Sequence, residues 1–406
     1  NAEAFNKGEL KDFSKVGFKA LDDSTLQIRL NSPASYFLSL LCHYSWYPVP
    51  VSVIEKCGPI DQRGNRWTRP ENFVGNGPFV LTKWRINDVL VVKKSPTYWD
   101  TAKVKLNEIR FYPIASLDTA ERAFRAGQLH VVDQAPISKI GWYKKNRPDL
   151  LHIEPYLGTY FYRLNVTRPP LNDPRVRRAL AMSIDREAIV TSITRAGEQP
   201  AFCLTPPNTA GYTCKAQFSY NIQAARRLLA EAGYPDGRGF PELTIMFNTL
   251  ESHRAIAEAI QQMWQKNLNI NVDLENQEWK VYLDSERTLN YQICRAGWIA
   301  DYVDPKTFVD LFTSDSGNNQ TGWTNHVYDR LVEEADTSPD NQQRYALYQK
   351  AEALLLHDMP IIPLYFYTLP QLIQPSVQGW YPTILDRHPY QYVWLKPMTG
   401  KVFNEP

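Results

Sequence analysis

The residue types best suited to ligand chemistry lie in one stretch, YQICRAGWIADYVDP at residues 291–305. Tyr291, Ile293 and Arg295 alternate with Gln and Cys in the period-two pattern of a β-strand. The strand is predicted to stop at Ala296, where an Ala-Gly pair leaves the main chain open to close approach by another backbone. The stretch therefore offers backbone hydrogen-bonding groups to a second extended chain.

Two further kinds of group follow the Ala-Gly pair. Gly297 is succeeded by Trp298, whose indole would form a large flat wall, and the carboxylates of Asp301 and Asp304 come just after it. An extended peptide needs main-chain partners and a countercharge for its amino end, and this combination would supply both. The alternative is a core strand that ends in a polar turn, because Gly-Trp and Asp-Pro pairs are common at strand ends.

Length and charge narrow the class of protein. A chain of 406 residues is too long for one small core, so two or more lobes are expected. The 45 basic and 43 acidic residues include no dense basic run, so nucleic acid is not an expected partner. No apolar run approaches the ~20 residues that cross a bilayer. The aromatic fraction of 13% is high enough to suggest a recognition surface lined by rings.

The five cysteines leave two interpretations open. Cys203 and Cys214 bracket a loop that contains Pro and Gly, and Cys42 and Cys57 bracket another. One or two local disulfides are therefore expected in an oxidising compartment, each stabilising by about 3 kcal/mol. The alternative is that all five are reduced and buried, since their spacing fits no metal site.

Helix and strand signals alternate along the chain, which predicts an α/β fold. Capping residues mark helix starts at Ser116, at Asp173 with Pro174 in the first helical position, and at Asn221. Two-strand units are predicted at residues 15–30 and around Asn87. Near the end of the chain, an apolar stripe at Leu347, Ala351 and Leu354 predicts a helix, and WYPTILD and QYVWL are predicted to be short strands. In α/β lobes, ligands bind at strand ends. Polar and aromatic residues stand there at Asn248, His253, Trp279 and Tyr367.

Patterns that carry catalysis or metal binding are absent from the sequence. There is no glycine-rich phosphate loop, no zinc-binding helix signature, no Cys-x-x-Cys pair and no nucleophile elbow. The seven histidines are scattered, with no spacing that would place two on one helical face. We therefore expect neither an enzyme nor a bound metal or cofactor.

Several segments, taken in order, resemble the periplasmic oligopeptide-binding proteins of ABC importers, a branch of the peptide and nickel solute-binding family. They run over nearly the whole chain and include NGPFVLTKW, PYLGTYFYRLN, DPRVRRALAMSIDREAIV, LLAEAGY, NVDLENQEWK and RAGWIADYVDP. The block DPRVRRALAMSIDREAIV together with RAGWIADY is the specific part of the match.

The resemblance implies a two-lobed periplasmic-binding-protein-like fold of type II with a small extra domain, closing over its ligand like a hinged trap. Chains of this family extend well in front of Asn1, so the first part of the fold is expected to be missing here. The hinge is expected near Leu157 and Thr368. The implied division is the tail of the small domain at 1–49, lobe I at 50–157, lobe II at 158–367 and a return to lobe I at 368–406.

The resemblance also implies roles for individual residues. Asp301 is similar to the carboxylate that holds the peptide's amino terminus, and Ala296 to Ile299 resembles the strand that pairs with the peptide backbone. Arg295 and His253 match positions that can reach the carboxyl end, and the lining positions are Trp279, Trp298, Asn248 and Tyr367.

Two positions depart from the family pattern. Where close relatives carry another carboxylate-binding Arg, this chain has Glu286, with Arg287 next to it, so the preferred peptide length or charge is open. Relatives can also carry a disulfide between the Gly-Trp strand and the inter-lobe strand, at positions that are Ile299 and Gly158 here.

The expected function is an extracytoplasmic receptor, periplasmic or lipid-anchored on the outer face of the cell membrane, that binds short peptides for an ABC permease as a monomer. One alternative is a relative specialised for murein peptide, a nickel complex or another small solute. Two others are an extracytoplasmic hydrolase and a scaffold or chaperone that uses the same aromatic cleft.

Overall fold

A computed structural model of the protein describes residues 1–60, 62 and 64–397. The strands are β1 (Phe18–Asp22), β2 (Thr25–Ile28), β3 (Phe79–Arg85), β4 (Val89–Lys94), β5 (Glu108–Phe111), β6 (Val131–Val132), β7 (Leu151–Leu164), β8 (Gln199–Pro200), β9 (Leu243–Asn248), β10 (Val272–Gln277), β11 (Ile293–Ile299), β12 (Ile361–Ile373), β13 (Val377–Gln378) and β14 (Trp394–Leu395).

The helices alternate with these strands. They are α1 (Ala2–Asn6), α2 (Phe37–Leu40), α3 (Val51–Cys57), α4 (Leu117–Arg125), α5 (Ile137–Asn146), α6 (Pro174–Met182), α7 (Arg186–Ala188), α8 (Ile222–Glu231), α9 (Glu251–Leu268), α10 (Trp279–Arg287), α11 (Lys306–Val309), α12 (His326–Thr337) and α13 (Asn341–Asp358). None of the described helices is long and apolar enough to span a membrane.

Two long strands, β7 and β12, lie within the main sheet. β7 and β12 pair antiparallel over most of their length inside a seven-stranded sheet of order β10-β9-β11-β7-β12-β6, with β8 against β12. The last eight residues of β7 are all buried, as expected for a strand covered on both faces. Tyr160 and Tyr162 face one hydrophobic core and Phe161 faces a second, because successive side chains point to opposite sides of a strand.

A third hydrophobic core lies at the other end of β7 and β12. It is built from α4, α5 and β6, with Phe124 and Ile140 fully buried beside Leu372 of β12. The β7–β12 ladder is irregular between these regions, since Phe366 pairs with Thr159 whereas Thr368 already pairs with Pro155. The interruption falls at the expected hinge, and the boundaries at 157/158 and 367/368 stay predictions.

Local signals specified several element boundaries. The side chains of Ser116, Asp173 and Asn221 each accept a backbone hydrogen bond as N-caps of α4, α6 and α8, as predicted. The expected turns are also present, with Asn87 at φ 58° between β3 and β4 and Asp22 accepting from Ser24 N–H between β1 and β2. These predictions are confirmed.

Three sequence-based expectations are wrong. The strand of the 291–305 stretch does not stop at Ala296, because β11 continues to Ile299 by pairing with β7. The segment WYPTILD forms no strand, and QYVWL contributes only the two residues of β14. The apolar stripe of α13, expected at Leu347, Ala351 and Leu354, is rotated, so that Tyr348, Ala351 and Leu355 are the buried positions.

The expected local disulfides are not formed in the structure, whose five cysteines are all free thiols. Cys42 is exposed and Cys57 partly buried, whereas Cys203 and Cys214 are buried together. The Sγ atoms of Cys203 and Cys214 and a carboxylate oxygen of Glu352 lie within 4.8 Å of one another. That carboxylate already accepts hydrogen bonds from Leu204 N–H, Thr205 N–H and Tyr212 Oη, so the cluster is internally satisfied.

Candidate functional site

The hydrogen-bonding pattern of β11 decides which of its backbone groups are free. Ala300 N–H donates to Leu157 O at 2.8 Å and Asn165 N–H donates to Gln292 O at 2.9 Å. Even-numbered residues of this strand therefore exchange hydrogen bonds with β7, because bonding alternates along an antiparallel strand. Odd-numbered residues point their N–H and C=O groups to the opposite edge.

That opposite edge is only partly covered. β9 pairs with it at Ile293 and Cys294, and the Tyr282 hydroxyl of α10 donates to the carbonyl of Arg295. Beyond this point, no strand of the described chain pairs with the edge that carries the N–H and C=O groups of Gly297 and Ile299. This segment is called the open edge below, and it can accept the backbone of a further extended chain.

Gly297 of β11 and Gly158 of the adjacent strand β7 are required by close packing. A Cβ added to Gly297 would lie 2.5 Å from the Tyr367 hydroxyl, and one added to Gly158 would lie 2.4 Å from Ile299 Cδ1. Because real Cβ atoms do not approach other atoms this closely, a side chain at either position would displace the neighbour. Gly297 thus lets Tyr367 of β12 lie directly against β11.

Arg295 occupies one end of the open edge and is surrounded by tyrosines. Its Nη2 donates to the Tyr367 hydroxyl at 3.0 Å, and its guanidinium lies 4.9 Å from the centre of the Tyr160 ring. Tyr160 in turn stacks on Tyr365 at 4.7 Å. The guanidinium has no acidic partner among the described residues, and its Nε is buried without a hydrogen bond. A partly buried, incompletely satisfied cation is suited to an anion from outside the chain.

His253 lies behind this cluster, at the start of α9. Its Nδ1 is 3.3 Å from the Tyr160 hydroxyl, and only 6% of the residue is exposed. Burial, and secondarily the positive charge of Arg295, lower the pKa of His253 to about 2. The imidazole is therefore neutral at physiological pH and serves the cluster as a hydrogen-bonding group.

Acid should destabilise the protein through His253. An unfolded histidine titrates near pH ~6.5, well above the folded pKa of His253, so below that pH the unfolded chain binds one more proton. The free energy of unfolding should then fall as the pH drops, by up to about 1.4 kcal/mol per pH unit for this group. Urea titrations between pH 7 and pH 5 should give a shallower decline for His253→Gln than for the wild type. The exposed control His326→Gln keeps His253 and should decline like the wild type. If His253→Gln lost stability as steeply as this control, His253 would not be the source of the acid sensitivity.

Asn248 and Trp279 come from β9 and α10, the two elements that cover the first part of the edge. Asn248 ends β9, and its Oδ1 is buried without a partner. Trp279 begins α10, is 50% exposed and stacks on Tyr282 with ring centres 5.8 Å apart. Because Tyr282 is held against Arg295 O, the indole of Trp279 lies near the start of the open edge.

Asp301 stands just past the other end of the strand. Its side chain is 47% exposed and one carboxylate oxygen lies 3.6 Å from His43 Nε2. Its main chain is held by two contacts, N–H to Thr307 Oγ1 at 3.3 Å and Arg387 Nη2 to its carbonyl at 2.8 Å. Thr307 also accepts from the indole N–H of Trp298 at 3.2 Å. One hydroxyl thus positions both the carboxylate-bearing residue and the aromatic wall.

A buried ion pair anchors the loop that carries Asp301. Asp304 forms a two-pronged contact with Arg344 of α13, at 2.8 and 2.7 Å, and both side chains are almost fully buried. Asp304 also accepts from Lys306 N–H at the start of α11. The loop is therefore anchored to α11 and to α13.

Arg287 does not join the other predicted site residues. It is 69% exposed at the end of α10 and bonds Asp284 at 2.6 Å. The neighbouring Glu286 is buried and bonds the guanidinium of Arg163, which also contacts Gln320 at 2.8 Å. At this position the chain uses a carboxylate for internal packing.

Sequence reasoning missed several residues of the site. Tyr160 lies in the aromatic run of β7, whose composition could have identified it, but His43, Thr307 and Arg387 carry no such signal. A separate groove of about 640 Å³ between β5, β6 and the C-terminal strands is lined by none of the predicted site residues.

Comparison with known proteins identifies the family. Residues 2–320 match the family model described as "Bacterial extracellular solute-binding proteins, family 5 Middle". The chain belongs to this family. It is 38% identical to the periplasmic oligopeptide-binding protein OppA of Escherichia coli K12, an alignment that covers 91% of this chain and 68% of OppA.

Solved structures of family-5 proteins confirm the fold. The Escherichia coli murein tripeptide binding protein MppA superimposes with a TM-score of 0.89 at 35% identity, covering 97% of this chain and 77% of MppA. Haemophilus influenzae OppA in complex with RPPGFSPFR gives 0.88 at 32% identity, over 97% of this chain and 78% of that one. The expectation of a two-lobed α/β fold of type II is therefore confirmed.

The parts of this family-5 chain are arranged more like those of the OppA–peptide complex than like those of an open form. An unliganded open form of MppA superimposes with a TM-score of only 0.70, although its sequence identity is 36%. The TM-score is lower than for the other MppA structure, whereas the sequence identity is about the same. The open form of MppA therefore differs from this chain in how the parts of the fold are arranged. The structure is therefore closer to the peptide-bound arrangement than to the open one.

Proposed function

We propose that the protein is an extracytoplasmic receptor that captures short peptides between its two lobes and delivers them to an ABC permease. The observation that carries this proposal is the open edge of β11. It lies between a partly buried cation, Arg295, and a half-exposed carboxylate, Asp301. An extended peptide has the complementary arrangement, with an ammonium at one end, a carboxylate at the other and backbone groups between.

The length of the edge supports a short ligand. Arg295 and Asp301 are six residues apart, which at about 3.3 Å per residue is roughly 20 Å. An extended peptide needs about six residues to span this distance, so a short peptide can contact both charges. Backbone pairing at Gly297 and Ile299 would be independent of the peptide's sequence, whereas the two charges would select its length.

The side-chain surroundings favour a tolerant site. Trp298 and Trp279 offer flat apolar surface, while Asn248 brings a buried acceptor that has no partner within the described chain. Such surfaces accept varied ligand side chains, with water filling the remaining space. The neutral His253 and the tyrosines around Arg295 supply hydrogen bonds without a nucleophile–base pair, so we propose binding without bond chemistry.

Family-5 relatives support both the ligand class and the cellular location. The Escherichia coli OppA is named a periplasmic oligopeptide-binding protein, and the Haemophilus influenzae OppA was crystallised with a peptide. A murein peptide is the second candidate ligand, because the periplasmic murein peptide-binding protein MppA is 37% identical over 94% of this chain. Both ligands would use the same open edge. We propose a periplasmic or membrane-anchored receptor that acts as a monomer.

Native mass spectrometry of the purified protein, followed by denaturing release, tests this function. A series of short peptides travelling with the protein is the expected result. A single defined murein fragment would favour the second candidate. An empty protein that also fails to bind added tri- to pentapeptides would refute the peptide proposal, and conversion of those peptides to smaller products would show a hydrolase.

Replacement of Gly297 by Ala should weaken peptide binding by about tenfold. The added methyl group would lie 2.5 Å from the Tyr367 hydroxyl and would push that side chain away from Arg295 and into the space beside the open edge. Isothermal titration with a tetrapeptide measures the change. Gly317→Ala is the matched control, because no atom lies within 4 Å of an added Cβ there. Equal affinities for G297A and G317A would contradict the proposed position of the ligand.

A further inference from the structure

The contact between His43 and Asp301 joins distant parts of the chain. His43 precedes a short turn that follows α2, far from β11 in sequence, yet its Nε2 lies 3.6 Å from Asp301 Oδ1. Only 16% of the His43 side chain is exposed, whereas Asp301 remains 47% exposed. One side of the carboxylate therefore faces the imidazole, and the rest stays accessible.

The second nitrogen of His43 orients the ring toward Asp301. Ser45 N–H donates to Nδ1 at 3.4 Å, and the Ser45 hydroxyl lies 2.8 Å from the same nitrogen. A nitrogen that accepts from a backbone N–H carries no proton of its own in the neutral ring, so the proton resides on Nε2, the atom that faces Asp301. The imidazole can thus donate to Asp301 in its neutral form and form an ion pair when protonated.

Independent contacts hold this segment in place. Arg387 donates to Cys42 O at 2.5 Å and to Asp301 O at 2.8 Å, so one guanidinium bridges the two chain segments. Tyr36, from the same segment as His43, stacks on Tyr302 with ring centres 5.5 Å apart. The approach of His43 to Asp301 is therefore built into the packing on both sides.

The charged surroundings of His43 are limited in the described chain. Asp301 faces its Nε2, Arg387 reaches the backbone of the residue before it, and the Tyr44 ring packs on it at 4.0 Å. The nearby Lys306 of α11 bonds Asp310 and Asp336 instead. Asp301 is thus the acidic group placed to respond to the charge on His43.

We propose that His43 is a specificity-determining residue, which shares the Asp301 carboxylate with the amino terminus of the ligand and makes recognition of that terminus depend on pH. The inference rests on the proposed function. When His43 is neutral, the ligand's ammonium is the only full positive charge that Asp301 must bind. When His43 is protonated, its imidazolium pairs with Asp301 and competes with the ammonium. An imidazole gains positive charge on acidification, so the competition can be tested by comparing two pH values.

The test compares a tetrapeptide of alanine and phenylalanine with its N-acetylated form, by isothermal titration at pH 7.0 and 5.5. The ratio of their Kd values measures discrimination for a free amino end. In the wild type this ratio should fall by about threefold between pH 7.0 and 5.5, the size expected of a half-exposed ion pair. In His43→Gln, which keeps a donor but cannot become charged, the ratio should stay constant. The buried His253 stays neutral over this range, because its pKa is about 2.

Controls separate this inference from the proposed function. His326→Gln removes an imidazole that is 92% exposed and pairs with Asp329 on the surface, and it should behave as the wild type. Parallel pH profiles for wild type and His43→Gln would overturn the role of His43 while leaving peptide binding intact. Failure of the wild type to bind either peptide would instead refute the proposed function. If His43→Gln does not fold, a wild-type ratio that is unchanged between the two pH values still overturns the inference.

Discussion

Replacement of Arg295 by Met is expected to lower the affinity for peptides with a free carboxyl terminus at least thirtyfold. Removing one partner of a buried, hydrogen-bonded charge pair costs about 2–5 kcal/mol, and about 1.4 kcal/mol corresponds to a tenfold change in Kd. Methionine retains the packing against the Tyr160 ring but removes every donor, including the bond to the Tyr367 hydroxyl. Isothermal titration of wild type and variant with the same tetrapeptide measures the loss.

Two comparisons show whether the loss reflects the ligand's carboxylate. A C-terminally amidated peptide should bind the wild type weakly and should lose little further affinity in Arg295→Met, because it carries no charge for the guanidinium to bind. Arg287→Met is the matched control, since that exposed arginine bonds Asp284 at 2.6 Å and lies outside the tyrosine cluster. A loss in Arg287→Met equal to that in Arg295→Met would show that the carboxyl end of the ligand lies elsewhere.

Breaking the ion pair between Asp304 and Arg344 should cost about 3–5 kcal/mol of unfolding free energy. Both side chains are almost fully buried, with contacts of 2.8 and 2.7 Å, so Asp304→Asn would leave the Arg344 charge without its carboxylate. The rings of Tyr36, Tyr345 and Tyr348 lie 5.1–5.5 Å from that guanidinium and cannot replace a carboxylate. Urea denaturation monitored by tryptophan fluorescence gives the change directly.

The exposed pair Arg66–Glu71 provides the contrast for this measurement. Its atoms are 3.1 Å apart, but its side chains are 74% and 57% exposed, so Glu71→Gln should change the unfolding free energy by less than about 1 kcal/mol. The double variant Asp304→Asn/Arg344→Met should be more stable than Asp304→Asn alone, because no uncompensated charge remains. A loss in Asp304→Asn as small as that in Glu71→Gln would contradict the anchoring role of the pair.

The two predictions concern opposite ends of the proposed binding surface. Arg295 is held by tyrosines of β7 and β12, whereas Asp301 is held by the loop that Asp304 anchors to α11 and α13. If the loop loosens, the carboxylate should lose its position before the guanidinium does. We therefore expect Asp304→Asn to weaken binding of free-amino peptides more than binding of their N-acetylated forms.

Short-range patterns were sufficient for much of the fold. The N-caps Ser116, Asp173 and Asn221 act within three residues of their own position, so no tertiary context can easily override them. The turn at Asn87 is local in the same way. The alternation of helices and strands then predicted an α/β fold, and the resemblance predicted its two-lobed form.

Patterns that depend on orientation around a helix were predicted less well. On α13 the buried stripe runs through Tyr348, Ala351 and Leu355, one position away from the expected stripe, because the neighbouring helices α6, α11 and α12 determine which face is covered. On α10 the same kind of rotation separates Glu286, which is buried against Arg163, from Arg287, which points to solvent. Adjacent residues of a helix are about 100° apart around its axis. A charged residue that is predicted from sequence to contact a ligand can therefore lie on a different face of the helix from the site.

The residues of RAGWIAD fit both a ligand strand and a core strand, and only the tertiary structure shows that part of the strand's edge is unpaired. β9 stops pairing with β11 after Cys294, which leaves the backbone of Gly297 and Ile299 open. The contacts of Asp301 with His43 and Arg387 are likewise a tertiary result, since chain folding brings together residues more than 80 positions apart. Sequence specifies hydrogen bonds and caps that act within a few residues, whereas strand neighbours and long-range charge pairs depend on how the whole chain packs.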